Sequence, residues 1–181
     1  MILKNIWRKK KNLDKEKLSR ELKCYKYANK FIEERSSKIE RRLAQNILDD
    51  IIEQQTKNDR SGELTVIIVE SFHQTELHVC QLKQKQEPIN QLIREFNHMK
   101  HSIENNMDFT KEFEKHLYKM GRYEEYVEKY AFDKDSESKY IEENIELIMR
   151  EKYELQKKIE YCNMKLKLVR YVMYYFPKIY A

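Results

Sequence analysis

Histidine and glutamate three residues apart on a helix share a face, and this chain has two such pairs, Glu70/His73 and Glu95/His98. In carboxylate-bridged di-metal bundles, Glu-x-x-His pairs project inward together with further glutamates. His98 and His101 also share a helical face and would need ligands from outside to complete a site. The test is which face they occupy. The apolar register derived below puts Phe72 and Ile93 at a, which sends Glu70 and His98 to f, His73 to b and Glu95 to c, all on the outer face. No metal is expected.

Other chemistry has less support. Gly62 and Gly121, the chain's two glycines, stand apart, so no glycine-rich loop is available to cradle a phosphate. No Ser/His/Asp or Cys/His grouping is arguable from spacing, because such partners meet only in space. The expectation is a protein that binds rather than one that catalyses, with no cofactor. The segment 1–23 is different in kind: it holds nine Lys or Arg against three acids, +6 of a total of +5, which leaves the remainder at −1. Trp7, Arg8, Lys9, Lys10 and Lys11 could meet nucleic acid, since cations neutralise phosphates and Trp stacks on bases. They could also touch an anionic membrane surface, or form the solvated basic face of a helix start.

The elements that would position these residues are helices. Among 181 residues there are only 2 Gly and 2 Pro, and 37% are charged. A chain so poor in turn residues and so rich in Leu, Ile, Lys, Glu and Gln reads as long helices with an apolar seam and solvated flanks. The fold class expected is all-α, with long helices forming a coiled coil or elongated bundle.

Hydrophobic spacing divides the chain into four helices. The first covers 13–56 on Leu18, Leu22, Tyr25, Ile32, Ile39 and Leu43, and ends at a turn closing on Gly62. The second covers 63–107, with Ile68, Phe72, Val79, Ile93 and Phe96 on a seam that keeps phase through Pro88. A kink there is expected, because proline removes a backbone donor and crowds the preceding turn. Val66–Val69 alone would suit a strand, but the residues after it show no alternation. The third covers 108–132, capped by Asp108, with Gly121 inside it at a cost of about 1 kcal/mol relative to Ala.

The fourth, 137–176, has the most regular heptads: Ile141, Ile145, Ile148, Lys152, Leu155, Ile159, Cys162, Leu166, Val169, Met173 and Phe176 follow steps of four and three. Lys152 is the charged a residue, a type that restricts register or partner choice. Acids crowd the helix start and bases its end, as the helix dipole favours. At about 1.5 Å per residue the first and last helices each reach roughly 60 Å. These two seams, in the second and fourth helices, are the expected partner-binding surfaces toward other helical subunits. The aromatic end, with Tyr171, Tyr174, Tyr175, Phe176 and Tyr180, either closes this chain's own bundle or forms an interface.

Phe113, Leu117, Gly121, Glu124 and Tyr126 carry a further pattern: Phe, Leu and Gly at steps of four, then Glu and an aromatic. It resembles subunit 1 of the biogenesis-of-lysosome-related-organelles complex over about 64–130. Arg122 replaces that family's acidic residue, Tyr126 its Trp, and the helix after Ser138 is longer. The resemblance implies a non-enzymatic helical subunit acting in endosomal or lysosomal trafficking.

No run of about 18 apolar residues occurs, so no spanning helix is expected. Cys24, Cys80 and Cys162 are single and widely spaced, which suits a reducing compartment. Cytoplasm is the expected location, with an organelle surface compatible. The acid-free residues 1–13 share one feature with organelle presequences, including those for mitochondrial import, but Asp14 and Glu16 follow early.

Overall fold

The computed structural model describes residues 2–57, 64–105, 110–130 and 133–181. They form α1 (Ile2–Glu33), α2 (Lys38–Lys57), α3 (Leu64–Glu104), α4 (Thr110–Lys119), α5 (Tyr123–Lys129), α6 (Lys134–Tyr174) and α7 (Phe176–Tyr180). The fold is all-α, as the composition indicates, and no strand occurs among the described residues. Asp108 and the turn around Gly62 lie outside them.

Two of the four expected helices are divided. The segment expected as one helix over 13–56 is α1 and α2, separated at Glu34–Ser37. Ser37 caps α2: its Oγ accepts the Ile39 N–H at 3.2 Å and its carbonyl accepts the Arg41 N–H at 3.0 Å. That cap supplies acceptors that a continuous helix would not need. The break also shifts the phase, leaving Leu18, Leu22 and Ile39 exposed while Cys24, Ala28 and Phe31 are buried.

The third expected helix is α4 and α5. Gly121 has φ of 66°, the left-handed region, so it ends a helix rather than sitting inside one. The Gly121 N–H donates to the Tyr118 carbonyl at 3.1 Å and the Arg122 N–H to the Leu117 carbonyl at 2.9 Å. This paired pattern is the Schellman motif, which satisfies the last carbonyls of α4. By contrast, α3 continues through Pro88, which is exposed. The Gln84 carbonyl that loses its donor there belongs to an exposed residue.

Two compact units divide the chain: Met1–Gln81 with Lys158–Ala181, and Leu82–Lys157. In the first, small residues let helices approach closely, with Cys24 and Ala28 of α1 and Ala44 of α2 in the core. Phe31, Ile47, Leu48, Ile51, Leu64, Ile68, Leu168, Val169 and Val172 fill it. Ile179 of α7 closes it, held where the Tyr180 hydroxyl donates to Thr65 Oγ1 at 2.7 Å. Arg170 pairs with Glu76 at 2.9 Å and lies over the Phe72 ring, a contact between α6 and α3 in this unit.

The second unit packs the remainder of α3 and α6 with α4 and α5. Its core is Phe96, Met99, Ile103, Phe113, Leu117, Tyr126, Tyr140 and Ile141. Phe113 meets Tyr126 and Tyr140 edge-on at 5.1 and 5.7 Å, the offset geometry that ring quadrupoles favour. Lys100 pairs with Glu142 at 3.3 Å, and Gln86 donates to Gln156 at 3.3 Å. Low-numbered residues of one helix thus meet high-numbered residues of the other, so α3 and α6 are antiparallel here. The buried Asn144 amide donates to the Tyr140 carbonyl at 2.8 Å and accepts from Arg122 at 2.7 Å, so its polar atoms are satisfied.

Candidate functional site

The two seams expected to bind partners are filled by the chain itself. Ile68, Val79, Phe96, Ile141, Leu155, Ile159, Leu166 and Val169 are buried. Phe72, Ile93, Ile145, Ile148, Lys152, Met173 and Phe176 are half-buried. None is exposed, and the burial arises within a single chain. The heptads of α6 therefore code first for intramolecular packing. The side chains of Trp7, Arg8, Lys9, Lys10 and Lys11 lie outside the described residues, although their backbone belongs to α1.

What remains available lies beside the seams. In the second unit a cleft of about 570 Å³ runs along α6, with Leu92 and Phe96 of α3 on one wall and Leu147 and Ile148 on the other. Met120 and Arg122 also line it. Leu147 is 59% exposed, and Arg150, Glu151 and Glu154 provide a rim of both charges. Met149 and Tyr153, 49% and 59% exposed, sit on the opposite flank of α6. An apolar floor with a mixed polar rim is the anatomy of a protein-binding surface.

A second cleft in this unit, about 440 Å³, lies between α3 and α4. Arg94, Glu95 and His98 come from α3, and Lys115, His116 and Lys119 from α4. Glu95 reaches His116 Nδ1 and Lys119 Nζ, each at 3.6 Å. His116 is buried and meets the Phe96 ring edge-on at 5.2 Å. Burial holds its pKa below the usual histidine value, against the opposing effect of Glu95. Glu70, His73 and His98 are exposed. Among the described residues no three His, Cys, Asp or Glu side chains converge as a metal site would require.

The first unit has its own basic cleft, about 640 Å³, where Lys26, Lys30 and Lys178 surround Tyr27 and Tyr175. The two rings stack at 4.2 Å and 6°. Tyr174, 78% exposed, stands edge-on to Tyr175. Of the C-terminal aromatics, Tyr171, Tyr175 and Phe176 pack on the core of this unit, so the patch closes the chain's own bundle in part and leaves Tyr174 and Tyr180 outward.

Among curated proteins, "Uncharacterized protein R741" of Acanthamoeba polyphaga mimivirus is 73% identical over 181 residues, covering 100% of both chains. The chain belongs to the R741 family. No family model and no solved structure matches it. Among the described residues of this R741-family chain, no helix is long and apolar enough to cross a membrane.

Three outward features of this R741-family chain escape a periodicity reading, for identifiable reasons. Leu147 falls between the a and d positions and reads as a flank residue. Lys115 and Lys119 lie on a helix whose end at Gly121 was not apparent from periodicity, and their meeting with Arg94 is tertiary. Tyr27 and Tyr175 are 148 positions apart in sequence. A signal for the first existed: Leu147 is a large apolar residue outside a seam already complete without it.

Proposed function

We propose that this chain is a non-enzymatic helical adaptor that receives an amphipathic helix of another protein in the groove lined by Leu92, Phe96, Leu147 and Ile148. One observation carries this reading: a large apolar side chain, Leu147, stands exposed on the wall of an apolar cleft whose seam is already filled. Burying one such side chain contributes roughly 1.5–3 kcal/mol, and an incoming helix would cover it together with the floor. Arg122, Arg150, Glu151 and Glu154 all line the groove, so a helix bearing both charges would find complementary partners. A cytoplasmic setting accords with this reading, since Cys24, Cys80 and Cys162 are all free thiols. The residues behind the trafficking resemblance have structural roles: Phe113, Leu117 and Tyr126 are core and Gly121 ends α4. That resemblance therefore supports a helical subunit and leaves the process open.

The test is affinity purification of the tagged chain beside its Leu147→Asp and Leu147→Met variants, with folding checked by circular dichroism. A stoichiometric helical partner held by wild type and Leu147→Met but lost from Leu147→Asp supports the groove. A partner retained by a folded Leu147→Asp variant rules it out.

A second reading has its own observation. The basic run of α1 leads to Lys26 and Lys30, beside the stacked Tyr27–Tyr175 pair and Lys178. Lysines tracking a backbone beside an exposed ring such as Tyr174 match single-stranded nucleic-acid binding. Fluorescence anisotropy with a labelled oligonucleotide would show salt-sensitive binding, weakened by Lys26→Gln with Lys178→Gln. Binding unchanged in that variant would remove this cleft from the account.

A further inference from the structure

The α3/α4 cleft of the second unit gathers more nitrogen donors than its own carboxylate satisfies. Arg94 and His98 stand four apart on α3, so they share a face, as do Lys115 and Lys119 on α4. The one carboxylate lining the cleft, Glu95, divides itself between His116 Nδ1 and Lys119 Nζ at 3.6 Å. Arg94 spends one Nη on the exposed Glu87 at 2.8 Å. Lys115 and the His98 ring have no partner among the described side chains. His116 Nε2 is buried and lacks a hydrogen-bond partner among the described residues, while its side chain is only 7% exposed.

His116 therefore belongs to the wall of the cleft, its Nδ1 turned to Glu95, and the groups open to a ligand are the exposed Arg94, His98, Lys115 and Lys119. Their charges indicate the kind of ligand. Arg94, Lys115 and Lys119 against Glu95 leave +2 in a cleft of about 440 Å³, before either histidine protonates. A dianion whose tetrahedral oxygens are mainly acceptors matches both that charge and the excess of donors. A neutral or cationic ligand matches neither, and a metal ion would meet three cations.

We infer that this cleft binds a phosphate group, free or as the phosphomonoester of a small molecule, with Arg94, Lys115 and Lys119 as charge partners and the His98 ring beside them. None of these residues lines the Leu147 groove, so the inference stands apart from the docking reading.

The test is NMR of the histidine rings in the full chain, titrating inorganic phosphate against chloride at fixed ionic strength. The expected result is saturable shifts of His98 and His116 with phosphate alone, and a Kd at least tenfold weaker in Arg94→Gln with Lys115→Gln. Arg94→Lys with Lys115→Arg should restore most of the affinity, which separates charge from folding. Equal shifts with chloride, or phosphate binding unchanged in the Gln variant, would overturn the inference. A parallel titration with glycerol phosphate distinguishes the sources: tighter binding than inorganic phosphate identifies a phosphomonoester, and equal or weaker binding identifies the free ion.

Discussion

At the scale of single residues, Gly121 and His116 show how local chemistry fixes the second unit. Gly121 has open space where a Cβ would stand, so substitution there costs backbone conformation alone. Gly121→Ala should lower stability by about 1–2 kcal/mol, the penalty for the left-handed region, and Gly121→Asn by less. Urea unfolding with an unchanged m-value would measure both. His116 makes a pH prediction with a definite sign. Burial lowers its folded pKa below the unfolded value near 6.5. The unfolded chain therefore takes up the proton first, and stability present above that pH is lost as pH falls through it toward the folded pKa. In phosphate-free buffer, wild type should lose more stability between pH 7.5 and 5.5 than His116→Gln. Equal losses would show that His116 titrates as if unfolded.

At the scale of elements, much of the helix pattern was legible, and the divisions at Glu34–Ser37 and at Gly121 were not. The seams through Ile68, Val79 and Phe96 on α3, and through Ile141, Leu155 and Val169 on α6, are buried where the periodicity placed them. Periodicity counts apolar side chains, however, and the divisions rest on other chemistry. Ser37 with Glu40 three residues on is a capping-box spacing that marks the start of α2, yet Ile32 and Ile39 are seven apart and read as one seam across it. Small residues hid the α1 face in the same way, since Cys24 and Ala28 carry little hydrophobic signal while permitting close approach. The start of α6 follows the same capping logic. Asp133 accepts the Ser136 N–H at 2.9 Å and the Ser136 hydroxyl at 3.1 Å, and the helix begins at Lys134, three residues earlier than spacing suggested. Those bonds hold its carboxyl below the ordinary aspartate range. Their contribution is thus present above that range and lost as pH falls through the folded pKa. Asp133→Ala should lower the Tm at neutral pH, Asp133→Asn should lower it less, and both should flatten the acid-side dependence. A Tm unmoved by Asp133→Ala would mean that the first turn of α6 is held by packing alone.

At the scale of the whole molecule, the two cores share no residue, although α3 and α6 each contribute to both units. The groove and the α3/α4 cleft belong to the second unit, and the stacked-tyrosine cleft belongs to the first. Function assigned to one unit can therefore be tested by weakening that unit's core. Phe113 suits the purpose because it is fully buried and touches both Tyr126 and Tyr140. Phe113→Ala should cost about 3–5 kcal/mol, the lost transfer of the ring plus the cavity it leaves. Hydrogen exchange resolved by peptide would show where that loss falls. Faster exchange across Leu82–Lys157, with α1 and α2 protected as in wild type, would establish the units as separate cooperative blocks. Both ligand sites of the second unit would then weaken together while the Tyr27–Tyr175 cleft kept its properties. Acceleration spread evenly through α1 and α2 as well would instead mean that α3 and α6 couple the cores into one transition, and that no substitution in either core isolates a single site.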